Sequence, residues 1–213
     1  MLRVGVHGSM QGVVLRHDGT PARRVTLQLV RVRPDRSLAD DVSVWGETDE
    51  SGSFLLRDVP AGEVVFGVNI RRAPTADLPW PGTFYPGVGA FAAARIFPLR
   101  PNENVTEMQL LLPPPLAVRT AHVRVLWANG RPAKGARLLS YPADQPESMS
   151  VLTRAARGDL VEVRLLRESS YRLKADWWPE RGAEFVESEL VLLPEGNADV
   201  SLTIRLKGNG PGR

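Results

Sequence analysis

Proline and glycine set the first limit on this chain. Its 213 residues contain 18 prolines and 19 glycines, spread along the length rather than gathered in one linker. A proline inside a helix removes a hydrogen bond and clashes with the preceding turn, and each glycine costs about 1 kcal/mol of helix propensity. Helices of ordinary length are therefore not expected. Strands are, and they show as alternation. In "ADVSLTIRL", Val200, Leu202, Ile204 and Leu206 alternate with Asp199, Ser201, Thr203 and Arg205, the period of two that buries one face of a strand. "EVVFGVNI" places Val64, Phe66, Val68 and Ile70 on one face, and "TEMQLLL" sets Met108, Leu110 and Leu112 against Glu107, Gln109 and Leu111. One segment breaks step: Val25, Leu27 and Leu29 share a parity that then passes to Val30 and Val32, which predicts a bulge or a change of face near Leu29.

Turn signals separate these runs: "HDGTP", "DESGS", "VPAGE", "WANGRP", "ARGD" and "PEGNA". Strands punctuated in this way, without helical pattern between them, predict a sandwich of antiparallel sheets. The turns also repeat. Asp18-Gly19-Thr20-Pro21-Ala22-Arg23 is matched by Asn129-Gly130-Arg131-Pro132-Ala133-Lys134, each preceded by Val-Leu. An Asp-Gly or Asn-Gly pair supplies a left-handed turn, so each copy is read as a hairpin followed by a proline-restricted strand. The chain is long enough for two domains of about 100 residues. Pro113-Pro114-Pro115, which has no backbone donor and favours extended backbone, is read as a stiff boundary between residues 1–113 and 114–213. The tail "GNGPGR" is expected to be mobile.

The totals exclude several classes. No apolar run approaches the roughly 20 residues of a membrane-spanning helix, so no membrane span is expected. With no cysteine, there are no disulfides, thiolate metal sites or cysteine nucleophiles. The net charge is +3 and the arginines are scattered without a phosphate-tracking stripe, which argues against nucleic acid as a partner. The start, "MLRVGVHGSMQG", shows no apolar core of a secretory signal.

The first half, with "GVVLRHDGTPARRVTLQLV", "TDESGSFLLRDVPAGEVVFGV" and "TFYPGV", resembles the carboxypeptidase regulatory-like domains of bacterial envelope proteins. The second half resembles a degenerate copy, in which "TDESGSF" has become "TRAARGDL". The resemblance implies two tandem all-β sandwiches of the prealbumin-like or immunoglobulin-like type, of about seven strands each. It further implies a non-catalytic structural or protein-binding module outside the cytoplasm, in the envelope or secreted, whose partner is another protein or a neighbouring domain. No cofactor is implied. A zinc peptidase site would need histidine and glutamate ligands, and none of His7, His17 and His122 has a glutamate three residues on.

Other candidate chemistry is thin. "GSMQG" is not a nucleophile elbow. An internal isopeptide bond needs a lysine; the first half has none, and Lys174 in the second reads as a solvated side chain. Asp40, Asp41, Asp49 and Glu50 gather acids without the spaced array that calcium requires, and Asp49 reads as a turn former. The aromatics carry the alternative function, binding of a glycan by stacked rings. Of Trp45, Trp80, Tyr85, Trp177 and Trp178, parity turns Trp177 inward and Trp178 outward, while Trp80 and Tyr85 lie in a long connection, 73–94, that is either functional or a flap packed on the sandwich. Trp80, Tyr85 and Trp178 are the candidate binding residues.

Overall fold

The computed structural model describes residues 7–145, 151–154, 160–178 and 185–210, with backbone alone for 151–154. The chain divides into two compact units, Met1–Leu116 and Ala117–Arg213. Each is an all-β sandwich. In the first, β1 (Gly8–Leu15), β4 (Ser53–Val59) and β8 (Asn104–Leu111) form a three-stranded sheet in the order β4-β1-β8. The second sheet has the order β3-β2-β5, from β3 (Val44–Glu47), β2 (Thr26–Arg31) and β5 (Gly62–Val68), and two short strands, β6 (Thr83–Phe84) and β7 (Phe97–Leu99), also pair with β5.

The second unit has the same order strand for strand. One sheet is β12-β9-β16, built from β9 (Val118–Trp127), β12 (Leu160–Leu166) and β16 (Val200–Leu206). The other joins β11 (Val151–Arg154), β10 (Arg137–Pro142) and β13 (Tyr171–Trp177), and β13 also takes β14 (Val186–Glu187) and β15 (Val191–Leu193). Eight strands thus stand among the described residues of each unit where about seven were expected, two of them the short pair on one edge. Direction differs too. The first and last strands of each unit run parallel, β1 with β8 and β9 with β16. A parallel pair needs a long connection, and here that connection is the rest of the unit.

Alternation places Met10, Val14, Leu27, Leu29, Phe54, Leu56, Phe66 and Leu110 in one core and Val123, Val125, Leu138, Val161, Leu173, Ile204 and Leu206 in another. The parity break at Leu29 is not a bulge. The β2–β5 register is regular from Gln28↔Gly67 to Arg31↔Val64. Val30, Val32 and Val65 are buried because they form a second apolar cluster with Phe84, against which Ile70, Val88, Phe91 and Ile96 pack. Both faces of the sheet are covered, so the strand is apolar on both. Ile70 belongs to this outer cluster rather than to the face of Val64 and Phe66, because Asn69 takes a left-handed backbone (φ 52) and turns the chain over. The irregularities lie in the other sheet. Register slips between Met10↔Val105 and Gly12↔Met108, beside Glu107 at φ 59. Gly12 permits this close approach: a Cβ there would stand 2.1 Å from the Met108 carbonyl oxygen.

The repeated turn is the same object twice. Arg16 N–H donates to the Thr20 carbonyl and Trp127 N–H to the Arg131 carbonyl, both at 2.8 Å, with Gly19 at φ 80 and Gly130 at φ 81. Asp18 Oδ1 accepts from Thr20 N–H (3.0 Å), as Asn129 Oδ1 does from Arg131 N–H (3.1 Å). The turn does not open a hairpin, however. Pairing stops after the Leu15↔Pro21 and Leu126↔Pro132 bridges, and the chain crosses to the facing sheet, where β2 and β10 lie. Proline, with no donor to continue a ladder, sits where the crossing starts. Two residues past the buried Ala22 and Ala133 the backbone turns left-handed again, at Arg24 (φ 55) and Gly135 (φ 78).

After β16 the chain turns back to the end of β9. Ala128 N–H donates to the Gly208 carbonyl (2.9 Å), the Asn129 amide to the Asn209 carbonyl (2.9 Å), and Gly210 lies against the Trp127 indole. Residues 211–213 lie outside the described residues, as does the "ARGD" turn.

Candidate functional site

Trp80 and Tyr85 belong to the first unit, Trp178 to the second. Trp80 is 8% exposed and part of the first core. The Asn69 amide fixes its segment by donating to the carbonyls of Trp80 (2.7 Å) and Leu78 (3.0 Å). Among the described residues, its indole N–H has no hydrogen-bond partner. Tyr85 packs on the same core, its ring stacked on Phe66 with centroids 5.1 Å apart and tilted against Phe97 at 5.4 Å. Stacking on a sugar needs an open ring face; Trp80 is buried, and half-buried Tyr85 has one face taken up by Phe66. The long connection that carries both rings also supplies Phe84, Val88, Phe91 and Ala94 to the cluster over Val30 and Val65.

Trp178 is 62% exposed, tilted against Phe185 at 5.1 Å and capped by the Arg137 guanidinium 5.3 Å from its ring centre. Trp177 meets Trp127 edge-on at 5.3 Å and donates its Nε1–H to the Lys134 carbonyl. Trp45, exposed on β3, carries the Arg72 guanidinium 4.4 Å above its ring.

The acidic residues have partners of their own. Glu50 meets Arg23 (3.3 Å) and Arg24 (3.1 Å), and Asp40 meets Arg33 and Arg71. Among the described residues no three histidines or carboxylates gather where they would hold a metal. His122 Nδ1 lies 3.4 Å from Glu162 on an exposed sheet face. Lys174 is not simply solvated: its Nζ is 2.7 Å from Glu187, with only 21% of the side chain exposed.

Asp49 is a turn former. Its Oδ1 accepts from Ser51 Oγ–H (2.7 Å), Ser51 N–H (2.8 Å) and Ser53 N–H (2.9 Å), and these bonds, the serine hydroxyl foremost, hold the carboxyl below the usual aspartate value. Thr20 does the same for Asp18, and Ser37 for Asp35. A folded-state pKa below the unfolded one means stabilisation complete above the ordinary aspartate pKa of about 3.9 and lost as pH falls through the depressed value. Melting of the first unit is therefore expected to drop on acidification below about pH 4, less steeply in Asp49→Asn. Circular-dichroism melts across that range check this, and an identical slope in the variant contradicts it. The matching turn of the second unit has Asn129 in place of Asp18 and does not titrate.

Sequence reasoning missed one pairing altogether. Arg137 Nε and Nη2 donate to the two oxygens of Asp176 at 2.6 and 2.7 Å, and Asp176 is 6% exposed. Both residues stand on the outer parity of their strands, but only the β10–β13 register, Arg137↔Asp176, sets them opposite each other.

No protein-family model matches the chain, and no curated protein matches it. Solved structures similar to it include the Bacillus anthracis TIE protein (TM-score 0.33, 11% identity, 95% of this chain and 34% of that one). Others are a streptococcal ancillary pilin (0.39, 14%, 95% and 63%) and the shaft pilin SpaA of Lactobacillus rhamnosus GG (0.40, 10%, 97% and 100%). The chain spans about a third of the first of these and under two thirds of the second.

Proposed function

We propose that this chain is a non-catalytic binding or spacer module: two sandwiches of the carboxypeptidase regulatory-like type, in a bacterial envelope or secreted protein, engaging a partner protein or a neighbouring domain. One observation carries the reading. Both units, with one strand order, close their cores with most of their aliphatic residues, and the second presents an outer strand edge and a larger sheet whose outer face carries ion pairs. Small-molecule chemistry favours concave apolar sites with convergent polar groups, whereas edges and flat faces are what extended protein partners meet. The glycan alternative is weaker, because two of its three rings are packed and Trp178 alone keeps an exposed one.

The test is chemical cross-linking on intact cells of the source organism, read by mass spectrometry and combined with external protease. The chain is expected to be cleaved from outside and to cross-link through a unit to one defined protein or domain. Shielding from external protease, with no cross-linked neighbour, overturns the reading.

A further inference from the structure

The free edge of β16 supports a sharper statement, which rests on the protein-binding reading above. β16 is the outermost strand of its sheet, with β9 on one side. On the other side, the chain at Glu187–Ser188 closes only the strand's end, through a Ser188↔Leu206 bridge and a 3.1 Å hydrogen bond from Lys207 N–H to the Glu187 carbonyl. Gly208 faces the opposite way, its carbonyl accepting from Ala128 N–H beside β9. These two bonds fix the phase. Backbone groups alternate sides along a strand, and the β9–β16 register is unbroken from Val200 to Leu206. Arg205, Thr203 and Ser201 therefore direct N–H and C=O to the same edge as Lys207. Among the described residues, Ser201, Thr203 and the Arg205 N–H have no backbone partner outside their sheet, whereas the Arg205 carbonyl faces Glu189 across the Ser188↔Leu206 bridge. Such a row is a template for an added strand.

The surroundings select what is added. An open groove of about 610 Å³ is lined by Arg124, Leu126, Arg205 and Lys207, with Glu189 and Val191 also at its wall. Three cations stand against one carboxylate. A second copy of β16 paired across the edge would bring Arg205 and Lys207 of the two chains together, and like charges across a ladder repel. The matching strand of the first unit, β8, has its Leu111 N–H bonded to the Pro86 carbonyl and carries Glu107, Gln109 and Leu111 without a cation.

We propose that the β16 edge takes up an extended, acidic peptide segment of a partner protein as a fourth strand, its carboxylates meeting Arg205 and Lys207.

The test uses the full chain and two fluorescein-labelled peptides, one alternating glutamate with threonine and one alternating lysine with threonine. Anisotropy titrations are expected to show the glutamate peptide bound at least about tenfold more tightly, the size two exposed ion pairs supply. Hydrogen exchange at the amides of Ser201, Thr203 and Arg205 slows when it binds. Combined Arg205→Glu and Lys207→Glu, both exposed, leave the melting curve unchanged and abolish or invert the preference. Thr203→Pro removes one edge donor while leaving the β9 ladder intact, and weakens binding; should that variant not fold, the charge reversal decides. Equal binding of both peptides, a preference that survives charge reversal, or unchanged exchange at the three amides overturns the proposal. So does a dimer that the charge reversal disperses. A cross-linked cellular partner kept by the charge-reversed chain refutes this assignment and leaves the protein-binding reading standing. Peptide binding as described, on a chain with no cellular partner, supports the edge site and refutes that reading.

Discussion

Phe66→Ala is expected to unfold the first unit at temperatures where the second still melts normally. Phe66 is fully buried, and its ring centre lies 5.1 Å from that of Tyr85, 5.6 Å from Phe54 and 6.0 Å from Phe97. It is where β4, β5, β7 and the covering connection meet. Truncating such a ring costs about 3–5 kcal/mol, against a total of about 5–15 kcal/mol for a domain. For a unit of this size that lowers its transition by more than about 10 °C. None of these residues belongs to the second core. Differential scanning calorimetry should show one transition displaced and one unmoved; a single transition shifting as a whole would contradict two separately cored units.

Asp176→Ala is expected to cost the second unit about 2–3 kcal/mol. Asp176 accepts both prongs of Arg137, whose side chain is 21% exposed. Removing one partner of a buried pair costs about 3–5 kcal/mol, because the other charge is left desolvated; the partial exposure of the arginine lets water recover some of it. The cost is of an orphaned charge, not of a lost attraction. Arg137→Met combined with Asp176→Leu should therefore recover most of the loss. Urea unfolding of both variants measures this, and a single variant within about 0.5 kcal/mol of wild type, the range of an ordinary surface change, would contradict the pair's being desolvated.

Much of the fold is written in local chemistry. Alternation in Val200–Leu206 and the repeated Gly19 and Gly130 turns need only neighbours a few residues away, and both appear in the structure. What local chemistry does not carry is the choice of partner. The turn at Asp18 has the residues of a hairpin, and only the facing sheet makes it a crossing. The apolar Val30 and Val32 suit a bulged strand or a strand buried on both faces; the cover that decides comes from Leu38, Ala39 and Val42 in the next loop and from the distant stretch Ile70 to Ile96. Trp80 and Tyr85 had the composition of a binding surface and are packed on the first core, whereas Trp178 stands exposed beside Arg137. The edge of β16 was legible as a strand but not as an edge, since nothing in "VSLTIRL" says that only one side finds a neighbour.

The layer over Val30, Val32 and Val65 gives the first unit a constraint that the second does not share. In the second unit Arg137, Lys174 and Asp176 stand on the larger sheet, where Arg137 pairs with Asp176 and Lys174 with Glu187 in place of an apolar layer. In the first unit the stretch from Ile70 to Ile96 serves two sides at once, Val88, Phe91 and Ile96 closing over the valines while Trp80 and Tyr85 reach into the central interior. Shortening that stretch would therefore bare a plate of valines and open the central interior together.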